Sequence, residues 1–154
     1  MNLRIVAAFF ADGARQGDDA RFSVIGGGLH SIEAERFPFT LDVEAVVVGL
    51  ELLSESPTPA SLELRLIGPR GEELAQVAGE LEVHLPERIV SYDATDAAQE
   101  QHRILWVVLP LPPITLSGPG LYRAVFALNG ERSPYQLPLT AAPLPATSST
   151  EIAN

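Results

Sequence analysis

A chain of 154 residues, 46% of them hydrophobic, suits one domain burying about two-thirds of its unfolded surface and is too apolar for a disordered chain. Ten Lys plus Arg against twenty Asp plus Glu leave a formal charge of −10, which repels phosphate backbones and argues against nucleic-acid partners. There is no cysteine, so disulfides, thiol catalysis and Cys-ligated zinc are excluded.

Leu3 to Ala11 is apolar on both faces, with Leu3, Ile5, Ala7 and Phe9 on one and Val6, Ala8 and Phe10 on the other. This predicts a central strand covered on both sides. The same run follows Arg4, but it is short for a signal-peptide core, Asp12 follows at once, and no small-x-small cleavage site is offered. No stretch approaches the ~20 apolar residues of a membrane span. The expectation is a soluble, cytoplasmic protein with no membrane partner.

Asp12 to Ala20 reads as a polar loop, and Arg21 to Ile25 as a short strand bent or ended by Gly26-Gly27-Gly28. Leu29 to Arg36 continues as strand, and Phe37-Pro38-Phe39 forms a corner because Pro38 removes a backbone donor. Thr40 to Leu53 is the longest unbroken candidate strand, its second half apolar on both faces. Ser54 to Ala60 is a Pro-rich loop. Ser61 to Ile67 alternates cleanly, with Leu62, Leu64 and Leu66 inward and Glu63 and Arg65 outward. Gly68-Pro69-Arg70-Gly71 turns the chain into a return over Glu72 to Leu85, where Gly79 predicts a bulge or break.

Pro86 to Gln101 has no sustained apolar period and is expected to hold at most a short helix from Asp96. Arg103 to Leu109 is a strand with the single Trp, and Pro110, Pro112 and Pro113 then force an extended segment. Leu116 to Leu137 is the strongest local signal. Gly118-Pro119-Gly120 opens it, Leu121 to Leu128 is a strand, and Asn129-Gly130 is a two-residue type I′ hairpin turn. Ala141 to Asn154 offers little to bury and reads as a disordered tail.

Roughly eight to ten strands with turns at short intervals predict an all-β fold, an antiparallel two-sheet sandwich of immunoglobulin-like or jelly-roll-like kind. The domain spans residues 1–140, with 141–154 as the tail.

Gly118-x-Gly120-x-Tyr122 resembles the tyrosine corner of immunoglobulin-like sandwiches, although the cysteine–tryptophan hallmark is missing. The wider layout includes A-D-G-A-R, F-S-V-I-G-G-G-L, the F-P-F corner, L-E-L-R-L-I-G-P-R-G-E-E-L, L-P-L-P-P and G-L-Y-R-A-V-F-A-L-N-G-E. It resembles a family of small bacterial β-sandwich proteins of unknown function over about residues 3 to 140. The resemblance implies the fold and no reaction.

His30, His84 and His102 share no ligand spacing, and Asp12, Asp18, Asp19, Asp93 and Asp96 lack the pattern of a calcium loop. The Gly26 to Gly28 run leads into strand, not a helix, so it is no phosphate cradle, and Ser117 lies outside any G-x-S-x-G elbow. Glu72 and Glu73 are adjacent and point apart. No catalytic residue, cofactor or metal site is expected. What remains is binding: the 86 to 101 loop offers Ile89, Val90 and Tyr92 as apolar contacts. The leading expectation is a non-catalytic module that binds a protein partner or itself through a sheet face or edge. The alternative is a small-molecule or carbohydrate binder that stacks ligands on Trp106, Tyr92 or Tyr135 at one end of the sandwich.

Overall fold

The structure, a computed structural model, describes residues 3–16, 22–52, 59–82 and 103–145. Among these residues there is no helix, hence none long and apolar enough to cross a membrane, and the fold is all-β. The strands are β1 (Leu3–Ala11), β2 (Gly13–Gln16), β3 (Phe22–Ile25), β4 (Ser31–Ala34), β5 (Phe39–Leu41) and β6 (Ala45–Leu52). They continue with β7 (Pro59–Ile67), β8 (Glu73–Glu82), β9 (Arg103–Pro110), β10 (Ile114–Leu116), β11 (Gly120–Leu128) and β12 (Glu131–Pro143). A five-stranded sheet has the order β4-β12-β11-β7-β8 and a three-stranded sheet the order β1-β6-β9, with two-stranded pairs β10-β5 and β2-β3.

One core cluster draws on both larger sheets. The five-stranded sheet supplies Leu62, Leu64 and Leu66 from β7, Tyr122, Ala124, Phe126 and Leu128 from β11, and Leu137 and Leu139 from β12. The three-stranded sheet supplies Ile5 and Phe10 from β1, Val46, Val48 and Leu50 from β6, and Leu109 from β9. Period-two alternation explains the first group, because inward positions on β7 and β11 are uniformly apolar while the outward ones are mixed, with Ser61, Glu63, Arg65 and Arg123 among them. β6 lies between β1 and β9 and is buried on both faces from Ala45 to Glu51, as its continuous apolar run predicts. Its one charge, Glu51, is only 5% exposed and is held by Arg4, directly opposite on β1.

The hairpin of β11 and β12 forms as its sequence requires. Asn129 and Gly130 have φ of 51° and 80°, the left-handed pair of a type I′ turn. Asn129 also hooks β7: its N–H donates to the Ser61 carbonyl and its Oδ1 accepts from the Ser61 N–H, each at 2.9 Å. At the other end Tyr122 is fully buried, and its hydroxyl donates to the Gly118 carbonyl at 2.7 Å. That is the tyrosine-corner geometry which the G-x-G-x-Y spacing predicts.

Several sequence expectations need correction. The loop expected from Asp12 instead enters β2, whose Gly13–Gln16 pairs with β3 as Gly13↔Ile25 to Gln16↔Phe22. Thr40 to Leu53 is not one strand, because Phe39–Leu41 pairs with β10 while Ala45–Leu52 pairs with β1 and β9. Glu44 staples the crossing, donating its N–H to Ala11 and accepting at its carbonyl from Leu111. Gly79 sits in regular register opposite Leu62, and the irregularity of the β7–β8 ladder falls between Leu66 and Ile67. The pairing is not wholly antiparallel, since β12 runs parallel to β4 from Thr140↔Ser31 to Pro143↔Ala34.

That parallel pairing also corrects the expected tail. The tail expected from Ala141 does not start there, because Ala141 is buried at 3% exposure and Ala141 to Pro143 lie in β12. Leu144 then donates its N–H to the Ala34 carbonyl at 2.9 Å. The expected helix from Asp96 and the last residues, 146–154, lie outside the described residues.

Two measurements check this account. Truncation after Thr140 removes most of the β4 pairing and should lower the melting midpoint in calorimetry by several degrees relative to the full chain; an unchanged midpoint would show that β4 does not need β12. Tyr122→Phe should cost about 1–3 kcal/mol in urea unfolding, because it leaves the part-buried Gly118 carbonyl without its donor. An unchanged midpoint would reduce Tyr122 to packing.

Candidate anion-binding groove

An open groove of about 410 Å³ lies on the outer face of the five-stranded sheet, across β7, β11 and β12. Its apolar surface includes Ile67, Val125 and Ala127, and its charged groups are Glu63, Arg65, Arg123 and Arg132. The strand period puts them there. On β11, Tyr122, Ala124, Phe126 and Leu128 point into the core, so Arg123, Val125 and Ala127 emerge on the opposite face. On β7 the same alternation brings out Glu63, Arg65 and Ile67.

Register assembles the cluster. Val125 faces Arg65 on β7, Arg123 faces Ile67, and Ala127 faces Glu63. On the other side Ala127 faces Arg132 of β12. A regular ladder continued from Val125↔Gln136 would place Pro134 there. Instead the register shifts between Val125 and Ala127, and Ser133 to Tyr135 leave the ladder. Pro134 is tolerated because it falls at this shift, where no ladder donor is needed.

The guanidinium groups are not equivalent. Arg65 bonds Glu63 at 2.5 Å and approaches Glu73 at 3.9 Å. The hydrogen bond to Glu63 and that carboxylate's charge hold Arg65 above the ordinary arginine range, so it remains a cation at any working pH. Glu63 also accepts from the Gln76 side chain at 3.2 Å. Arg123 and Arg132 are exposed and have no ion-pair partner among the described residues. Among the described residues the groove thus exposes two unpaired cations beside an apolar strip, on a chain whose net charge is −10.

The residues singled out from the sequence are dispersed. Ile89, Val90 and Tyr92 lie outside the described residues, as do His84 and His102. Trp106 is half-buried on β9, opposite Gly49 of β6, with its ring 6.2 Å from Phe9 at 54°. A Cβ on Gly49 would meet the indole at 3.0 Å, so the ring lies against a strand position that only glycine leaves open. Tyr135, expected as an exposed stacking group, is half-buried. Its ring meets Phe126 edge-on at 6.1 Å and its hydroxyl accepts from the Ala8 N–H at 3.0 Å. It joins β12 to the edge strand β1, and the groove belongs to neither aromatic group.

His30 is exposed with Nδ1 3.2 Å from the Gly28 carbonyl. Among the described residues no group of three His, Asp or Glu side chains gathers to hold a metal ion. Gly26 has φ of 61°, and a Cβ there would collide with the Asp12 carboxylate, so the glycine run forms a bend packed on Asp12. Glu72 turns back to accept from the Arg70 N–H at 2.8 Å, whereas Glu73 faces Arg65.

Residues 6–142 match the profile of a family of unknown function, DUF6941. The chain belongs to this family. The match leaves out the first few residues of β1 and ends within β12, so it includes every residue of the groove and all but the last pair of the β4 pairing at its side. No curated protein matches the DUF6941 chain.

Sequence reasoning passed over the groove because Arg65, Arg123 and Arg132 each look like an ordinary solvated position on an amphipathic strand. The available signal was charge contrast: three of ten basic residues in an acidic chain lie on strands that the hairpin makes adjacent. Because Arg123 and Arg132 are exposed, replacing both by Glu should move the thermal midpoint by less than about 3 °C. A larger fall would give the pair a structural role instead.

Proposed function

We propose that this DUF6941 protein is a non-catalytic binding module that engages a protein partner through the outer face of its five-stranded sheet. Its scaffold in this reading is a two-sheet sandwich, supported by the single core cluster to which both larger sheets contribute. The observation that carries the reading is the groove, where two unpaired guanidinium groups flank an apolar strip on a sheet face. Charge of this kind steers encounters, and exposed apolar area beside it supplies contact. Its charged groups suit holding an anion, since Glu63 is already engaged by Arg65 and Gln76. The proposal places the protein in a bacterial cytoplasm, in keeping with the absence of cysteine.

A second reading, a small-molecule or carbohydrate binder, is favoured by one observation, the partial exposure of Trp106 on the other large sheet. Tyr135 no longer supports it, because that hydroxyl is committed to Ala8.

Photo-crosslinking inside the native host separates these readings. A photoreactive residue at Gln136 or Thr140, on the outer face of β12, should capture a discrete protein adduct, and one at Ser23 of β3 should not. Absence of adducts at all three sites would sink the protein-binding proposal. Adducts only at a probe beside Trp106 would move the site to the other sheet.

A further inference from the structure

We infer that the groove receives a short extended acidic segment of the partner, in which two carboxylates four residues apart bracket an apolar side chain. This rests on the docking-face reading above and specifies its occupant. Arg123 and Ala127 are four residues apart on β11, about 13 Å at the rise of a strand. Arg132 stands directly across from Ala127 on β12, roughly 5 Å to the side. The two unpaired cations therefore mark opposite ends of the groove, and Val125 lies between them with Ile67 beside Arg123.

An extended chain laid along β11 presents like-facing side chains every ~6.7 Å. Its first and fifth residues meet the two cations and its third meets Val125. Aspartate or glutamate at the first and fifth places takes charge-assisted, bidentate bonds from arginine. Valine, leucine or isoleucine at the third covers the strip. Glu63 and Glu73 border the β7 and β8 side and repel an acid placed there, which keeps the segment over β11 and β12.

The same charges decide against a nucleic acid. A net charge of −10 repels a long polyanion as a whole. A five-residue segment samples mainly the charges within a Debye length, about 8 Å at physiological salt, and the groove lining itself sets Arg65, Arg123 and Arg132 against Glu63.

Nuclear magnetic resonance of the full chain, observing backbone amides and arginine Nε–H groups, tests the inference. The matched probe is acetyl-Glu-Ser-Val-Ser-Glu-amide, and the control is its shuffle, acetyl-Glu-Glu-Ser-Ser-Val-amide. The matched peptide should shift the Arg123 and Arg132 Nε–H signals and the Val125 amide, and bind at least about tenfold tighter than the shuffle. Arg123→Glu and Arg132→Glu should each weaken it about tenfold or more while the remaining spectrum shows the fold intact.

Equal binding of the two peptides would overturn the spacing while leaving the docking face standing. No shift at millimolar peptide, or preference for a short oligonucleotide, would overturn the acidic-segment inference even where crosslinking shows a protein on this face. Concentration-dependent shifts of these same signals without peptide would replace the segment by a second copy of the chain.

Discussion

The register of β11 is the constraint on which the core and the groove both depend. Alternate residues of this strand enter the core and face solvent, so a slip of one position would bury Arg123 and expose Tyr122. Both ends are pinned by contacts outside the ladder. At the start Tyr122 closes on Gly118, and Gly120, at φ of 146°, sits where any Cβ would lie 2.6 Å from Pro69 in the β7–β8 turn. At the far end Asn129 uses both its N–H and its side-chain oxygen on Ser61, fixing the hairpin turn against the start of β7. Polar contacts at turns thus set the position of an apolar strand, because hydrophobic burial alone is non-directional.

The register shift in β12 links the core to the surface in a second way. By taking Ser133, Pro134 and Tyr135 out of the ladder, it sets Arg132 beside Ala127. It also turns Tyr135 toward Phe126 and Ala8, where the phenol satisfies a backbone donor on the edge of β1. Tyr135 N–H in turn donates to the buried Ser133 hydroxyl, so the irregular segment carries its own hydrogen bond. One irregularity therefore closes the seam between the two larger sheets and delivers a cation to the groove.

Local chemistry was legible in the sequence where it acts over a few residues. Asn129-Gly130, the Tyr122 corner, the alternation of β7 and the two-sided burial of β6 all follow from side-chain period or turn preference. What was not legible depends on pairing between distant segments. The Thr40 to Leu53 run has no break signal at Asp42 to Glu44, and the chain divides there because β10 and β9 claim its two halves. Ala141 to Pro143 looks like a tail by composition and becomes strand because β4 offers a parallel edge. Gly49 could have been read as a place where another group approaches, but only the register shows that this group is Trp106. The groove was hidden for the same reason, as its arginines come from three strands.

The two larger sheets differ in what their outer faces leave available. On the three-stranded sheet Val47 alternates with the core residues Val46 and Val48, yet it too is fully buried. Phe9 stands directly opposite Val47, the indole of Trp106 lies against Gly49, and a Cβ at Gly27, just after β3, would collide with Val24 and Phe9. A face so occupied by its own side chains serves packing first. The five-stranded sheet has Arg123, Gln136, Pro138 and Thr140 exposed on its outer face, with Leu121 half exposed at one end. Antiparallel neighbours tolerate such one-sided solvation, and among the described residues these outer positions stay exposed. The more solvated face is the one that carries Arg123 and Arg132 without ion-pair partners among the described residues, and that contrast is the physical ground for the proposal on β7, β11 and β12.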